Sequence, residues 1–155
     1  MIQLFTELQE KKNVRSNLSA LRASLKEATE EQKAQAIEFV RGHEDLVFGF
    51  LQEEDAKTRK NAALLLGDLA VQNALQPLWK AYTREQTLFV KSAYLEAMKA
   101  LHAEEILSQL KDRLAELEGE PVTEENRKHW EAELRALRAI LIQYEGIDTH
   151  HFDIK

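Results

Sequence analysis

An all-α fold is what this sequence predicts: a right-handed superhelix (a solenoid) of helical pairs, closed by a C-terminal antiparallel helical hairpin. Three observations carry the prediction. Apolar residues recur at spacings of three and four and hardly ever alternate, which is the rhythm of amphipathic helices. Only two prolines and five glycines interrupt the 155 residues. Between Leu46 and Leu101 the apolar positions also repeat with a period of 32 residues. A repeat near that length means helical hairpins stacked so that each buries its face on the next.

Each helix has a local reason. Ile2, Phe5 and Leu8 mark a short first helix. Asn13 is placed to cap a second, with the stripe Val14, Leu18, Leu21 and Leu25. Thr29 and Gln32 have the spacing of a capping box and start a third helix, carrying Ala36, Ile37 and Val40 and stopping at Gly42. Leu46, Val47, Phe50 and Leu51 make a short fourth. Asp55 caps a fifth, with Ala62, Ala63, Leu66 and Leu69 facing inward. Asn73 opens a sixth, whose Pro77 sits in the first turn, where a missing N–H costs little. Thr87 caps a seventh, with Val90, Tyr94, Leu95, Met98 and Leu101. An eighth runs from about Glu104 to Glu118 and is stopped by Gly119-Glu120-Pro121. Thr123 caps a ninth, which reaches about Tyr144 before Gly146 ends it.

The repeat lies in the middle of this series. Aligning Arg59 with Lys91 pairs Leu46 with Leu78, Val47 with Trp79, Phe50 with Tyr82, Ala62 with Tyr94, Ala63 with Leu95, Leu66 with Met98 and Leu69 with Leu101. Val14-Arg15 and Leu18 read as a worn earlier copy. The chain thus divides into a helical domain over 1–145 and a segment, 146–155, that is a linker or the start of a following domain. Within the domain, 1–45 holds degenerate helices, 46–102 two clear repeats and 104–145 the long hairpin.

Composition and spacing remove whole classes of function. With 44% apolar and 31% charged residues, the chain is neither disordered nor collagenous. The longest apolar stretch, Ala62–Val71, contains Asp68 and is too short to cross a bilayer. No membrane partner is expected. A cytoplasmic home is expected from the absence of cysteine and of a basic-then-apolar leader. The net charge of −6 arises in the C-terminal third: 101–155 carries seven basic and thirteen acidic side chains, whereas 1–40 and 41–100 each balance. That acidity disfavours a nucleic-acid grip by the whole surface. No two glycines are closer than seven residues, so no dinucleotide fingerprint, nucleophile elbow or phosphate loop can form. No histidine pair has the spacing of a helical zinc protease, and there is no thiol. No catalytic residue, metal site or cofactor is therefore assigned to this chain.

Asp55-Ala-Lys-Thr-Arg59-Lys-Asn-Ala62-Ala63-Leu-Leu-Leu66-Gly67 resembles the second-helix signature of HEAT repeats. Leu75-Gln-Pro77-Leu78 resembles the first helix of the following unit, and Val90-Lys91 its Val-Arg pair. In the second copy Tyr94-Leu95 replaces the alanine pair and Lys99 the glycine. The chain also resembles the N-terminal helical segment of bacterial methyltransferases that act on RNA, through Asp55–Gly67, Thr87-Leu-Phe89-Val90-Lys91 and Tyr144-Glu-Gly146-Ile147. That resemblance implies S-adenosylmethionine chemistry in a downstream domain. It assigns no catalytic residue here, because neither a glycine-rich cofactor loop nor an Asn-Pro-Pro-type motif is present.

Candidate binding residues follow from the repeat. Arg59, Lys60, Lys91 and Lys99 would form a solvated cationic ridge along successive second helices, facing RNA phosphates; the alternative is that Asp55 caps its helix and pairs with Arg59 at i, i+4. Replacing Arg59 and Lys91 should then leave folding intact. Trp79 continues the stripe Leu75, Leu78, Tyr82 and reads as core. Trp130 begins the seam Trp130, Leu134, Leu137, Leu141, Tyr144, and a line of Ala132, Ala136 and Ala139 leaves room for another helix. The hairpin either closes the stack or offers Trp130 and Tyr144 as an interface to a second chain or a following domain. His150-His151-Phe152-Asp153 reads as a linker or first strand rather than a metal site. The expected function is a non-catalytic binding or scaffolding module beside a methyltransferase acting on RNA, with a protein, a following domain or RNA as partner. The alternatives are a stand-alone protein–protein interaction or homodimerisation domain and, less well matched, a HEAT-like DNA glycosylase.

Overall fold

The structure, a computed structural model, describes residues 1–145. Among these there are nine α-helices and no strand. The chain divides into two compact units, the first Met1–Leu101 and the second beginning at His102.

The first unit holds α1 (Ile2–Gln9), α2 (Val14–Leu25), α3 (Glu30–Gly42), α4 (Glu44–Gly49), α5 (Ala56–Asp68), α6 (Leu75–Arg84) and α7 (Leu88–Ala100). Short 3₁₀ turns, Phe50–Gln52 and Gln72–Ala74, lead towards α5 and α6. The sequence signals for starts and stops divide into two groups. The Thr29–Gln32 capping box is formed in both directions, at 3.0 and 3.1 Å. Asp55 caps α5 by accepting the Thr58 N–H at 2.9 Å. Asn13 and Thr87 occupy cap positions without a side-chain cap bond. Asn13 is left-handed, and Asn17 instead satisfies the turn by donating to the Lys12 carbonyl at 2.8 Å. Asn73 lies in the 3₁₀ turn and reaches Glu44, so α6 opens two residues later, at Leu75.

Helix α5 is the centre of this unit and packs on both α2 and α7, while α6 packs on α7 and α1 on α2. The inward register matches the sequence repeat. Ala62, Ala63, Leu66 and Leu69 of the α5 segment are buried, as are Tyr94, Leu95, Met98 and Leu101 one period later. Gly67 explains how closely α5 and α7 approach: a Cβ there would stand 2.9 Å from the Ala97 Cα. The glycine of the Leu-Gly pair is thus a packing residue, since only a missing side chain admits the facing backbone.

The second unit contains a 3₁₀ turn (Ala103–Ile106), α8 (Leu107–Gly119) and α9 (Arg127–Glu145). Its two helices pair antiparallel, for Leu117 meets Trp130 while Arg113, a turn earlier, meets Glu133. Leu110, Leu114 and Leu117 are buried on α8, as are Leu134, Leu137, Ile140 and Leu141 on α9. Thr123 and Asn126 bond each other's backbone N–H ahead of α9, so the predicted cap residue starts the turn that feeds the helix.

Candidate functional site

A cleft of about 710 Å³ opens in the first unit, between the segment preceding α5 and one face of α6. One wall is Phe48, Leu51 and Gln52, continuing into Glu53 and Glu54. The opposite wall is a single helical stripe, Gln76, Lys80 and Arg84 with Pro77 and Ala81 beside them. Gln86 and Thr87 extend this wall beyond α6, and Arg59, Glu85 and Tyr94 also line the cleft.

Those last three form one network. The Arg59 guanidinium grips the Glu85 carboxylate in a fork, Nε to Oε1 and Nη2 to Oε2, both at 2.9 Å. Its remaining nitrogen donates to the Glu53 and Glu54 carbonyls, each at 2.8 Å. Four of the five guanidinium N–H groups are therefore engaged, which only the planar fork of arginine permits. The Tyr94 hydroxyl donates to Glu85 Oε1 at 3.1 Å, and the Thr87 N–H donates to Oε2 at 3.2 Å. The Glu85 side chain is 5% exposed and that of Arg59 17%. This clamp joins the loop before α5, α5 itself, the α6–α7 turn and α7.

Its electrostatics follow from burial and pairing. Burial pushes the Glu85 carboxyl up, but the Arg59 fork, the Thr87 N–H and the Tyr94 hydroxyl outweigh it and hold the group below the usual carboxylate value. The same fork raises Arg59 further above its already high value. Burial, reinforced by the neighbouring Glu85 charge, raises the Tyr94 phenol, so it stays a protonated donor. At neutral pH the base of the cleft is thus an ionised Arg59–Glu85 pair with the neutral Tyr94 hydroxyl donating to it.

The expectation of a solvated Arg59 is corrected here. Arg59 is neither solvated nor free to meet phosphate, and its partner is Glu85 rather than Asp55. Asp55 caps α5 and makes its ion pair with Arg15 of α2, at 3.4 Å. Replacing Arg59 is consequently expected to destabilise the fold. Lys60 is half-buried and Lys99 exposed. Lys91 sits with its ammonium 5.7 Å from the centre of the Tyr82 ring. None of these three lysines lines the cleft. Trp79 is half-buried and lies against Tyr82, their ring centres 5.4 Å apart.

In the second unit, Trp130 is half-buried and its indole N–H donates to the Leu117 carbonyl. Tyr144 is half-buried near the end of α9. Sequence reading missed the main polar feature between α8 and α9: Glu133, 1% exposed in its side chain, held by Arg113 at 2.9 and 3.2 Å. It also missed Glu85. A signal for Glu85 existed, because Tyr94 replaces an alanine on an inward face and a buried phenol needs an acceptor. No group of histidine and carboxylate side chains able to hold a metal occurs among the described residues. The His150-His151-Asp153 segment lies outside them. No helix of the described residues is long and apolar enough to cross a membrane. Comparison with protein-family models, with curated proteins and with solved structures finds no match to this chain.

Proposed function

We propose that this chain is a non-catalytic binding and scaffolding module, built on a HEAT-like solenoid of helical pairs that the α8–α9 hairpin closes. The observation that carries the reading is the cleft of the first unit. It is preformed and in the size range of ligand sites. Its one buried carboxylate, Glu85, is neutralised by Arg59, so the cleft presents a fixed surface rather than a reactive group. A glycosylase on this fold would need that carboxylate unpaired and an exposed aromatic beside it, whereas Tyr94 is buried and bonded to Glu85.

The wider setting rests on the sequence. The Asp55–Gly67 signature supports the HEAT-like reading, and its company with Thr87–Lys91 supports a protein in which this module accompanies a methyltransferase domain acting on RNA. In that arrangement the module positions a partner, and S-adenosylmethionine binds elsewhere. Calorimetric titration of residues 1–155 with S-adenosylmethionine tests the division of labour. No heat of binding is expected; micromolar binding would overturn the non-catalytic reading. The coding sequence downstream of residue 155 is expected to encode a glycine-rich cofactor loop.

A further inference from the structure

We infer that the cleft between the loop preceding α5 and the α6 stripe is a docking site for an extended peptide segment of mixed charge, presented by a protein partner. The inference rests on the binding-module reading and names the partner's chemistry. Size is the first consideration. From Gln76 to Arg84 the α6 stripe advances eight residue steps, about 12 Å of helix. An extended strand of about four residues has that length.

Polar inventory is the second. Arg59, Glu85 and Tyr94 saturate one another, so recognition falls to the groups on the walls. The side-chain amides of Gln52, Gln76 and Gln86 all line the cleft and are exposed. Each amide offers donors and an acceptor, the complement of a peptide backbone, which presents N–H and C=O in alternation.

Charge is the third. Lys80 and Arg84 stand on the α6 wall and Glu53 and Glu54 on the other, all four exposed. Among the described residues none of the four forms an intramolecular ion pair. A segment with an acidic residue towards α6 and a basic one towards Glu53 and Glu54 meets both walls. A polyanion meets the carboxylates as repulsion, on a chain whose net charge is −6. Electrostatic pairing of this kind sets register and partner choice more than raw affinity.

The test uses the full chain and a displayed library of random peptides, with a random-sequence RNA oligonucleotide as a parallel probe. Enriched peptides are expected to carry an acidic and a basic residue a few positions apart. Their affinity should fall at least tenfold in the double variant Lys80→Glu/Arg84→Glu, and equally in Glu53→Lys/Glu54→Lys, with circular dichroism unchanged. Reversing the charges of the peptide should restore binding to a variant carrying all four reversals. Peptides that bind both double variants as tightly as wild type would overturn the cleft assignment and leave the binding-module reading standing. RNA bound more tightly than any peptide, and lost in Lys80→Glu/Arg84→Glu, would overturn the peptide class. Binding of neither probe would overturn the docking site and remove the support it lends to the module reading.

Discussion

Gly67→Ala puts the packing of α5 on α7 under direct test, because two ordinary expectations for this substitution have opposite signs. Alanine in place of glycine inside a helix normally stabilises by up to about 1 kcal/mol through helix propensity. At Gly67 the added Cβ would lie 2.9 Å from the Cα of Ala97, 3.2 Å from its Cβ and 3.4 Å from its carbonyl oxygen. Comfortable contact between carbon atoms begins near ~3.5 Å, and the closest obstacle is backbone, which cannot rotate away. The helices must therefore separate by several tenths of an ångström, loosening Leu66 and Met98, both wholly buried. Overpacking of this kind costs about 1–3 kcal/mol, so the net expectation is a loss of up to about 2 kcal/mol. Urea unfolding followed by tryptophan fluorescence measures it, in a Trp130→Phe background where Trp79 alone reports on the first unit. The midpoint should fall with little change in slope. A rise in stability would refute the close approach of α5 and α7.

Further outcomes follow from the core and the clamp. Leu66→Ala should cost about 2–5 kcal/mol in the same unfolding assay, since the residue is wholly buried between α5 and its neighbours; a change below about 0.5 kcal/mol, the range of an ordinary surface substitution, would contradict the register. Arg59→Gln should cost about 3–5 kcal/mol at neutral pH by leaving Glu85 buried without its partner. Because the folded Glu85 lies below its ordinary value, the clamp's contribution is complete above about pH 4.5, the unfolded value, and is lost as pH falls through the folded one. Acid unfolding curves of wild type and Glu85→Gln should accordingly converge at low pH. Curves that stay parallel throughout would mean that the carboxylate is not held by Arg59.

Much of the architecture was legible because helices announce themselves locally. The Thr29 capping box, the Asp55 cap and the inward face Ala62, Ala63, Leu66 depend on spacings of three and four, and the structure realises them. Asn13 and Thr87 were less legible, because a cap-forming residue type permits a side-chain bond without compelling it. The candidate site was legible only in part. Arg59 is conspicuous in the sequence, yet its nearest acid along the chain, Asp55, is taken by Thr58 and Arg15. Its true partner lies 26 residues on, in a turn that only the packing of α5 against α7 brings near. The cleft itself was illegible, because its walls come from two segments whose facing is decided by that same packing.

The central claim, that the first unit binds a partner through this cleft, is tested most directly by amide chemical-shift mapping. The full chain, isotopically labelled, is titrated with a mixed-charge peptide selected on it. The largest shifts should fall on Gln52, Glu53 and Glu54, on the α6 stripe from Gln76 to Arg84, and on Gln86, while Lys60, Lys99 and α9 stay still. Shifts concentrated on Lys60, Lys91 and Lys99, or around Trp130 and Tyr144, would contradict it.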